Sequence, residues 1–528
     1  MIVSDKLRFI FRFKLRTVTY PLNLTLLLLM SSCLSKSAST VEEITTQPQK
    51  FQPNWESIKA NYKDPEWFNK QKFGIFIHWG AYSVPAYGSE WYPRLMYMDT
   101  ATFSAELRHE LDGPNKVHTY HKEHWGNPKK FGYKDFIPMF KGENFNPDAW
   151  IDLFKKAGAK YVIPVADHHD GFAMYKSHTT RWNAAEMGPK RDVLGELFKA
   201  GRKKGMIMGT SSHYAFNWSY YNKKDHFDTT DPNFSDLYSP KGKDLTEPVS
   251  EEFKEKWWLR IKDIIDNYQP DILWLDFCID IPDFADYRPK LAAYYYNKGV
   301  EWNKEVVLQD KNFSHEAFPE GTVIYDLERG KLPGIRELPW QTDTSIGKNS
   351  WSFITEWESK TPDELIDDLV DIVSKNGCLL LNVGPKSDGT IPEDQQEVLL
   401  KMGEWLDANG AAIYNTTYWK TFGEGPTEVS EGHHSESNNH KLTAQDIRFT
   451  TRDNTLYAIA MDWPENNTLK IKSLGKESSY GNMEIIGVKL LGYSKPLKWE
   501  QKPDGLIINL PSKKIGDFAH AFEISLKK

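Results

Sequence analysis

Three cysteines in 528 residues, Cys33, Cys278 and Cys378, are too few and too scattered for a disulfide framework or a zinc site, so stability must come from packing. The chain also lacks an excess of positive charge. Its 66 basic and 73 acidic residues leave a formal net charge of -7, which argues against a general binder of nucleic acid, since such proteins need clustered surplus cations. After the first 35 residues no segment is apolar enough to cross a membrane, and no internal repeat or long low-complexity tract is present. A phosphate-cradling glycine loop, a nucleophilic serine elbow and a His-Glu-x-x-His metal motif are missing as well, which removes three large classes of enzyme chemistry. Aromatic residues, in contrast, are plentiful: 14%, with 19 Trp and 25 Tyr. Such a content suits stacking on the flat apolar faces of sugars, and equally an aromatic-rich core.

Residues 1–35 read as an export signal, because Lys6, Arg8, Arg12, Lys14 and Arg16 precede an apolar stretch, Leu22 to Met30, that is too short to span a bilayer stably. Met30-Ser31-Ser32-Cys33 loosely resembles a bacterial lipoprotein box, in which Cys33 would carry a lipid anchor and become the new N-terminus. The expectation is an exported protein, periplasmic or anchored in the outer membrane of a bacterium. Residues 36–60, rich in Ser, Thr and Gln at their start, read as a flexible linker.

From there the chain repeats one plan. An apolar run, Ile272 to Leu275, follows a helical stretch ending at Tyr268 and stops at the carboxylate of Asp276. A continuous apolar run is what a strand covered on both faces requires, and in a β/α barrel such strand ends carry the chemistry. The same helix, strand, polar-tip unit recurs at His78 and Trp79, at the HHDG run from His168, at Ser211 to Tyr214, at Asp310, at VIYDLERG (323–330) and at Cys378 to Val383. Helix signals agree: Asn146 before Pro147 is an N-cap with Pro at the first helical position, and Thr361-Pro362-Asp363-Glu364 is a capping box. The count of strand tips approaches eight. The spacing therefore predicts a TIM-like (β/α)8 barrel over residues 61–420. Short apolar runs separated by turn residues after Trp419 predict a C-terminal antiparallel β-sandwich over 421–528.

A barrel rim offering carboxylates, histidines and tryptophans points to glycoside hydrolysis, which needs one carboxyl group to stabilise or capture the cationic sugar centre and a second to protonate the departing oxygen. Asp276 is the first candidate. Glu90 beside Trp91 suits gripping a hydroxyl while a ring packs alongside. The adjacent His168 and His169 read as hydroxyl contacts rather than metal ligands, because adjacent side chains diverge. No metal and no cofactor are expected.

KFGIFIHWG (72–80), EWY (90–92), HHDGFAMY (168–175), LWLDF (273–277) and NGCLLLNVGPKSDGTIP (376–392) together resemble glycoside hydrolase family 29, the α-L-fucosidases, over residues 60–420. The resemblance implies a metal-free barrel with a β-sandwich and a retaining reaction on fucosylated glycans through a covalent glycosyl-aspartate. It places the nucleophile at Asp276 and the fucose pocket at His78, Glu90, Trp91, His168, His169 and Trp274. Many members carry Trp-Glu where this chain has Trp340-Gln341, and an amide cannot serve as the proton donor. The acid/base role is therefore placed on Glu328, with Arg329 as a clamp on substrate or carboxylate and Asp310 and Asp343 as fallbacks. Burial and the charge of Asp276 are expected to lift Glu328 towards neutral pH. Two other readings remain: a fucose-binding protein that lost its proton donor, suggested by Gln341, and a hydrolase of another L-galacto-shaped sugar. The β-rich C-terminal module, which has none of the rim motifs, is expected to serve stability rather than chemistry.

Overall fold

Eight strands with apolar cores and helices between them can bury both faces only by closing on themselves, and the computed structural model shows that closure. It describes residues 49–99, 115–239, 247–311, 317–438, 440–480 and 483–527; the export signal and Cys33 lie outside them. Strands β1 (Phe73–Ile77), β2 (Tyr161–Asp167), β3 (Ile207–Ser212), β4 (Ile272–Leu275), β5 (Val307–Asp310), β6 (Ile324–Glu328), β7 (Trp340–Ser345) and β8 (Gly377–Val383) form a closed parallel barrel in chain order. The helix Pro147–Lys156 starts where its residues dictate, with the Asn146 side chain accepting from the Ala149 N–H and Pro147 in the first turn. Helix Pro362–Ser374 begins with the reciprocal capping box of Thr361 and Glu364. Among the described residues no helix is long and apolar enough to cross a membrane.

Alternation along each strand sorts the side chains into two cores. Phe76, Ile163, Ile272, Trp274, Val307, Ile324 and Leu380 fill the barrel interior, while Ile75, Val162, Leu273, Leu308 and Leu379 face the helices. Gly74 is required where it stands, since a Cβ there would lie 2.2 Å from the ring of Tyr161.

The C-terminal region folds as two antiparallel sheets around a separate apolar core. One has the order β13 (Ile485–Leu490), β16 (His520–Leu526), β11 (Thr455–Ala460), β10 (Ile447–Arg452), β9 (Thr417–Glu424). The other has the order β12 (Thr468–Ile471), β15 (Gly505–Asn509), β14 (Lys498–Lys502). Strands β9 and β14 escape the sequence reading because both are edge strands with largely half-exposed, charge-containing patterns, Thr-Tyr-Trp-Lys and Lys-Trp-Glu-Gln.

A buried ion triad ties this region to the barrel. Arg448 of β10 pairs with Asp371 of helix Pro362–Ser374 at 2.7 Å, and Lys375 pairs with the other oxygen of Asp371 at 2.7 Å, all three essentially without solvent exposure. Burial opposes ionisation, yet the two cations hold the Asp371 carboxyl well below the usual carboxylate range. Lys375 is itself pulled down by burial, with one anion beside it and a guanidinium against it, so the stabilisation belongs to the carboxylate. Arg448→Ala is expected to cost about 3–5 kcal/mol in urea denaturation near neutral pH. Because the Asp371 value is depressed, this contribution is present above about pH 4 and fades as pH falls through the folded-state value, so the gap between wild type and variant should narrow in acid. A gap that does not narrow as pH is lowered from about 4 to the lowest pH at which both proteins still fold would mean that lost packing, not the charge, causes the effect.

Candidate active site

The inward positions two residues beyond the barrel core make the site. His78 follows Phe76, Asp276 follows Trp274, Lys311 stands two beyond Gln309, Glu328 two beyond Asp326, and Asn382 two beyond Leu380. All are buried. Parallel strands thus converge five polar side chains on one mouth, at the C-terminal end of the barrel.

Asp276 is the most heavily engaged. Its Oδ2 lies 2.7 Å from His213 Nδ1 and 3.2 Å from His169 Nε2. Its Oδ1 accepts from Lys311 Nζ at 3.0 Å and from the Phe277 N–H at 2.9 Å. Although burial opposes it, Lys311 and His213 hold this carboxyl well below the usual range, so it is ionised at any working pH. Lys311 Nζ also lies 2.7 Å from Glu328 Oε2 and stands 5.4 Å over the ring of Trp274, which floors the cup.

The imidazoles form the opposite wall. His78 Nδ1 is 2.8 Å from Asn382 Oδ1, which fixes its tautomer and leaves Nε2 turned to the cup. The His168 ring packs 4.8 Å from His213 and 4.6 Å from His169, and its buried Nδ1 has no partner. A buried orphan of this kind is satisfied when a ligand brings a polar group. Burial lowers His78 and His168 well below their ordinary values and His213 to about 4, so all three are neutral near pH 7 and able to take hydroxyl protons or donate to hydroxyl oxygens. Trp91 leans on His169 at 5.3 Å and lies nearly parallel to Phe277. Trp351 flanks His78 at 5.2 Å. Glu90 is buried, which raises its carboxyl, and its Oε2 accepts from the Trp351 N–H at 3.0 Å, pinning the loop after β7 to the loop after β1.

This is a cup with neutral imidazoles for hydroxyl groups, aromatic walls for an apolar face and two carboxylates on one ammonium. The sequence profile described as Alpha-L-fucosidase matches residues 38–411, and that described as Alpha-L-fucosidase C-terminal domain matches residues 439–527. The chain belongs to the α-L-fucosidase family. The enzyme is 31% identical to tissue alpha-L-fucosidase of Rattus norvegicus over 476 residues, 89% of this chain and 91% of that one. It is 33% identical to plasma alpha-L-fucosidase of the same organism over 468 residues, 87% and 90% of the two chains. The crystal structure of Thermotoga maritima alpha-fucosidase in complex with fucose matches at a TM-score of 0.69 with 30% identity, covering 90% of this chain and 100% of that one. Its (β/α)8 barrel and C-terminal β-sandwich are thus those of fucosidase structures, and the enzyme is a glycoside hydrolase.

The structure brings most of the expected residues together. His78, Trp91, His168, His169, Trp274, Asp276 and Glu328 meet at the cup, and Glu90 buttresses it through Trp351. Arg329 does not join them. Its backbone is left-handed, φ 45°, so its side chain leaves the cup and pairs with Glu436 at 2.6 Å while its face covers Trp351 at 4.6 Å. The carboxylate it clamps is that of Glu436.

Three further expectations change. Gln341 is not a rim residue: it is the second residue of β7, fully buried, where it accepts from Tyr161 Oη at 2.7 Å and donates to Asp326 Oδ1 at 2.6 Å. It fills the barrel interior below the cup, so it gives no ground for a lost proton donor. Asp310 lies on the helix-facing side of β5, opposite Gln309 and Lys311, and drops out as a fallback; Asp343 stays, next to Glu328 in the β6–β7 register. Glu328 itself is not lifted. Burial would raise it, but Lys311 and His434 outweigh that and hold it below its ordinary value.

Sequence reasoning missed Lys311, His213, Trp351, His433 and His434 as site residues. The alternation signal could have found Lys311, two beyond Gln309. His433 and His434 come from the C-terminal module, more than a hundred residues from Glu328, and no local pattern announces them.

Two triads place potential ligand atoms within 4.8 Å of one another: His78, His168 and His213, and His169, His213 and Asp276. His213 is common to both, and its two ring nitrogens are already engaged, Nδ1 with Asp276 and Nε2 with Ser211 Oγ at 3.0 Å. A metal would have to break one of these contacts. EDTA is expected to leave fucosidase activity unchanged, measured as turnover after exhaustive dialysis; loss of activity restored by zinc would show the triads to be ligands.

Proposed function

We propose that the enzyme is an exo-acting, retaining α-L-fucosidase that releases terminal fucose from fucosylated glycans through a covalent glycosyl-aspartate at Asp276. The observation that carries this reading is the Lys311 bridge. Legs of 3.0 and 2.7 Å to one ammonium put an oxygen of Asp276 and one of Glu328 at most about 5.7 Å apart, which suits the close nucleophile and acid/base pair of a retaining enzyme better than the wider gap of an inverting one.

In the first step an Asp276 oxygen forms a bond to the anomeric carbon as the glycosidic bond breaks, and Glu328 gives its proton to the departing oxygen. In the second, water attacks the same carbon, Glu328 recovers a proton from it, and the aspartyl ester breaks to restore the carboxylate. His169, His213 and Lys311 keep Asp276 ionised and fixed for the attack. His78 and His168 bind and orient ring hydroxyls, while Trp91, Trp274 and Trp351 offer apolar walls to the 6-methyl group and exclude water. Proton NMR of the first sugar released tests the stereochemistry: α-L-fucose supports retention, and β-L-fucose would overturn it.

The charge balance gives a pH prediction. The reactive free enzyme needs Asp276 ionised and Glu328 protonated, and both carboxyls are depressed, Asp276 further than Glu328. Protonated Glu328 is the form lost as pH rises, so kcat/KM for a natural fucoside should be highest on the acid side and fall towards neutrality. A plateau extending through pH 7 would contradict this assignment of the acid. We also infer export of the enzyme, with Cys33 as a lipid-bearing residue; a Cys33→Ser variant should leave the membrane fraction.

A further inference from the structure

The module expected to be a bystander reaches into the active centre. Between β9 and β10 the chain sends out residues 432–438, which hydrogen-bond to the end of β6 and the residues just after it, with Gly432 and Lys331 forming an antiparallel bridge. The Gly432 N–H donates to Lys331 O at 3.2 Å, the His434 N–H to Glu328 O at 2.9 Å and the Glu436 N–H to Arg329 O at 3.0 Å. The approach is so close that a Cβ on Gly330 would fall 2.0 Å from Gly432 O, and only glycine fits.

Two adjacent histidines of this turn meet the backbone N–H and carbonyl of Glu328 and, beside Lys311, one of its carboxylate oxygens. His433 Nδ1 accepts from the Glu328 N–H at 3.1 Å, and its Nε2 meets Tyr325 Oη at 3.2 Å. The His434 backbone donates to the Glu328 carbonyl, and His434 Nε2 stands 3.4 Å from Glu328 Oε2. Glu436 anchors the far end: its carboxylate takes Arg329 at 2.6 Å, Lys360 at 2.7 Å and Thr344 Oγ1 at 2.6 Å. Packing alone does not call for the His434 ring, which is 47% exposed and yet directed at a buried carboxylate.

We propose that residues 432–438 are a built part of the active centre, and that His434 is a positioning residue that aims the Glu328 carboxyl and sets the pH range in which it gives and recovers its proton. The inference rests on Glu328 being the acid/base group. Among the described residues the charged and titratable groups facing Glu328 are Lys311 at the end of β5, Asp276 beyond β4, Asp343 of β7 and His433 and His434 of the turn; Arg329 faces away to Glu436. Lys311 and His434 lower the Glu328 value, and Asp276 raises it. Removing His434 therefore moves the group upward.

The test compares His434→Ala, His434→Lys and Glu328→Ala in the full-length enzyme, with a fucosylated disaccharide and a nitrophenyl fucoside as substrates. His434→Ala should melt with the wild type, since its ring is half exposed. On the disaccharide its kcat/KM should fall several-fold at the optimum, with the basic limb displaced upward by about half a pH unit, the size expected of a partly screened charge. The nitrophenyl fucoside, whose departure does not need the proton, should be spared in the first step. His434→Lys restores a cation and should return the limb towards wild type. If Glu328→Ala abolishes the basic limb while His434→Ala leaves limb and rate in place, the inference fails and the acid assignment stands. If His434→Ala lowers both substrates equally along with the melting temperature, its role is structural and the inference fails again. If Glu328→Ala keeps the limb, the acid assignment has failed and takes this inference with it.

Discussion

Replacing Asp276 by glycine is expected to lower hydrolysis of any α-L-fucoside by roughly 10³-fold or more, because the covalent route disappears with the carboxylate. Folding should survive. The groups that held the carboxylate are not stranded: Lys311 keeps Glu328 at 2.7 Å, His213 keeps Ser211, and His169 keeps the His213 carbonyl and exchanges its other partner for water in the vacated space. Azide fits that space and brings the missing negative charge. It should restore turnover of a nitrophenyl fucoside and give β-L-fucosyl azide, the product of a single displacement from the face Asp276 occupied. A variant with near-normal rate and no response to azide would remove Asp276 from the nucleophile's role.

Glu328→Ala is expected to divide substrates by their leaving groups. A poor alcohol must receive a proton as it departs, and a positioned acid contributes roughly 10²–10⁴-fold, so natural fucosides should lose about that factor. Nitrophenolate leaves without help, so glycosylation by the aryl substrate should persist and the ester at Asp276 should accumulate, since the same residue activates water for the second step. A burst of nitrophenol followed by slow turnover is the signature to measure. The variant leaves Lys311 paired with Asp276 at 3.0 Å, so no buried charge is left alone. Equal losses on both substrates would move the role to Asp343. That carboxyl is buried beside Asp326, and burial with the repulsion of its neighbour pushes it well above its ordinary value, so it carries a proton that the cup could use.

The architecture was legible wherever a local pattern carried it. Ile272 to Leu275 is an unbroken apolar run before a carboxylate, and β4 occupies those residues. Caps at Asn146 and Thr361 start helices because side-chain oxygens there meet free backbone N–H groups of their own first turn, a contact within three residues. Polar strands were harder. β7 reads Trp-Gln-Thr-Asp-Thr-Ser and looks like a tip, yet it runs through the barrel with every residue buried. Its polar side chains are tolerable there only because Tyr161, Asp326 and their neighbours bond them across the interior, and those partners are distant in sequence.

By itself, then, the sequence determined an alternating β/α chain that closes into a barrel, a β-rich module after it, and a nucleophile candidate at the end of a buried strand. Short-range physics sufficed: hydrophobic period, capping and the reach of a side chain along its own strand. Tertiary structure alone decided which polar residues share a charge. The Asp276–Lys311–Glu328 bridge spans β4, β5 and β6, the turn of Arg329 away to Glu436 joins the barrel to the module, and His434 reaches Glu328 only because an excursion between β9 and β10 pairs with the end of β6. Electrostatic interactions depend on distance in space and on burial, neither of which has a period in the chain.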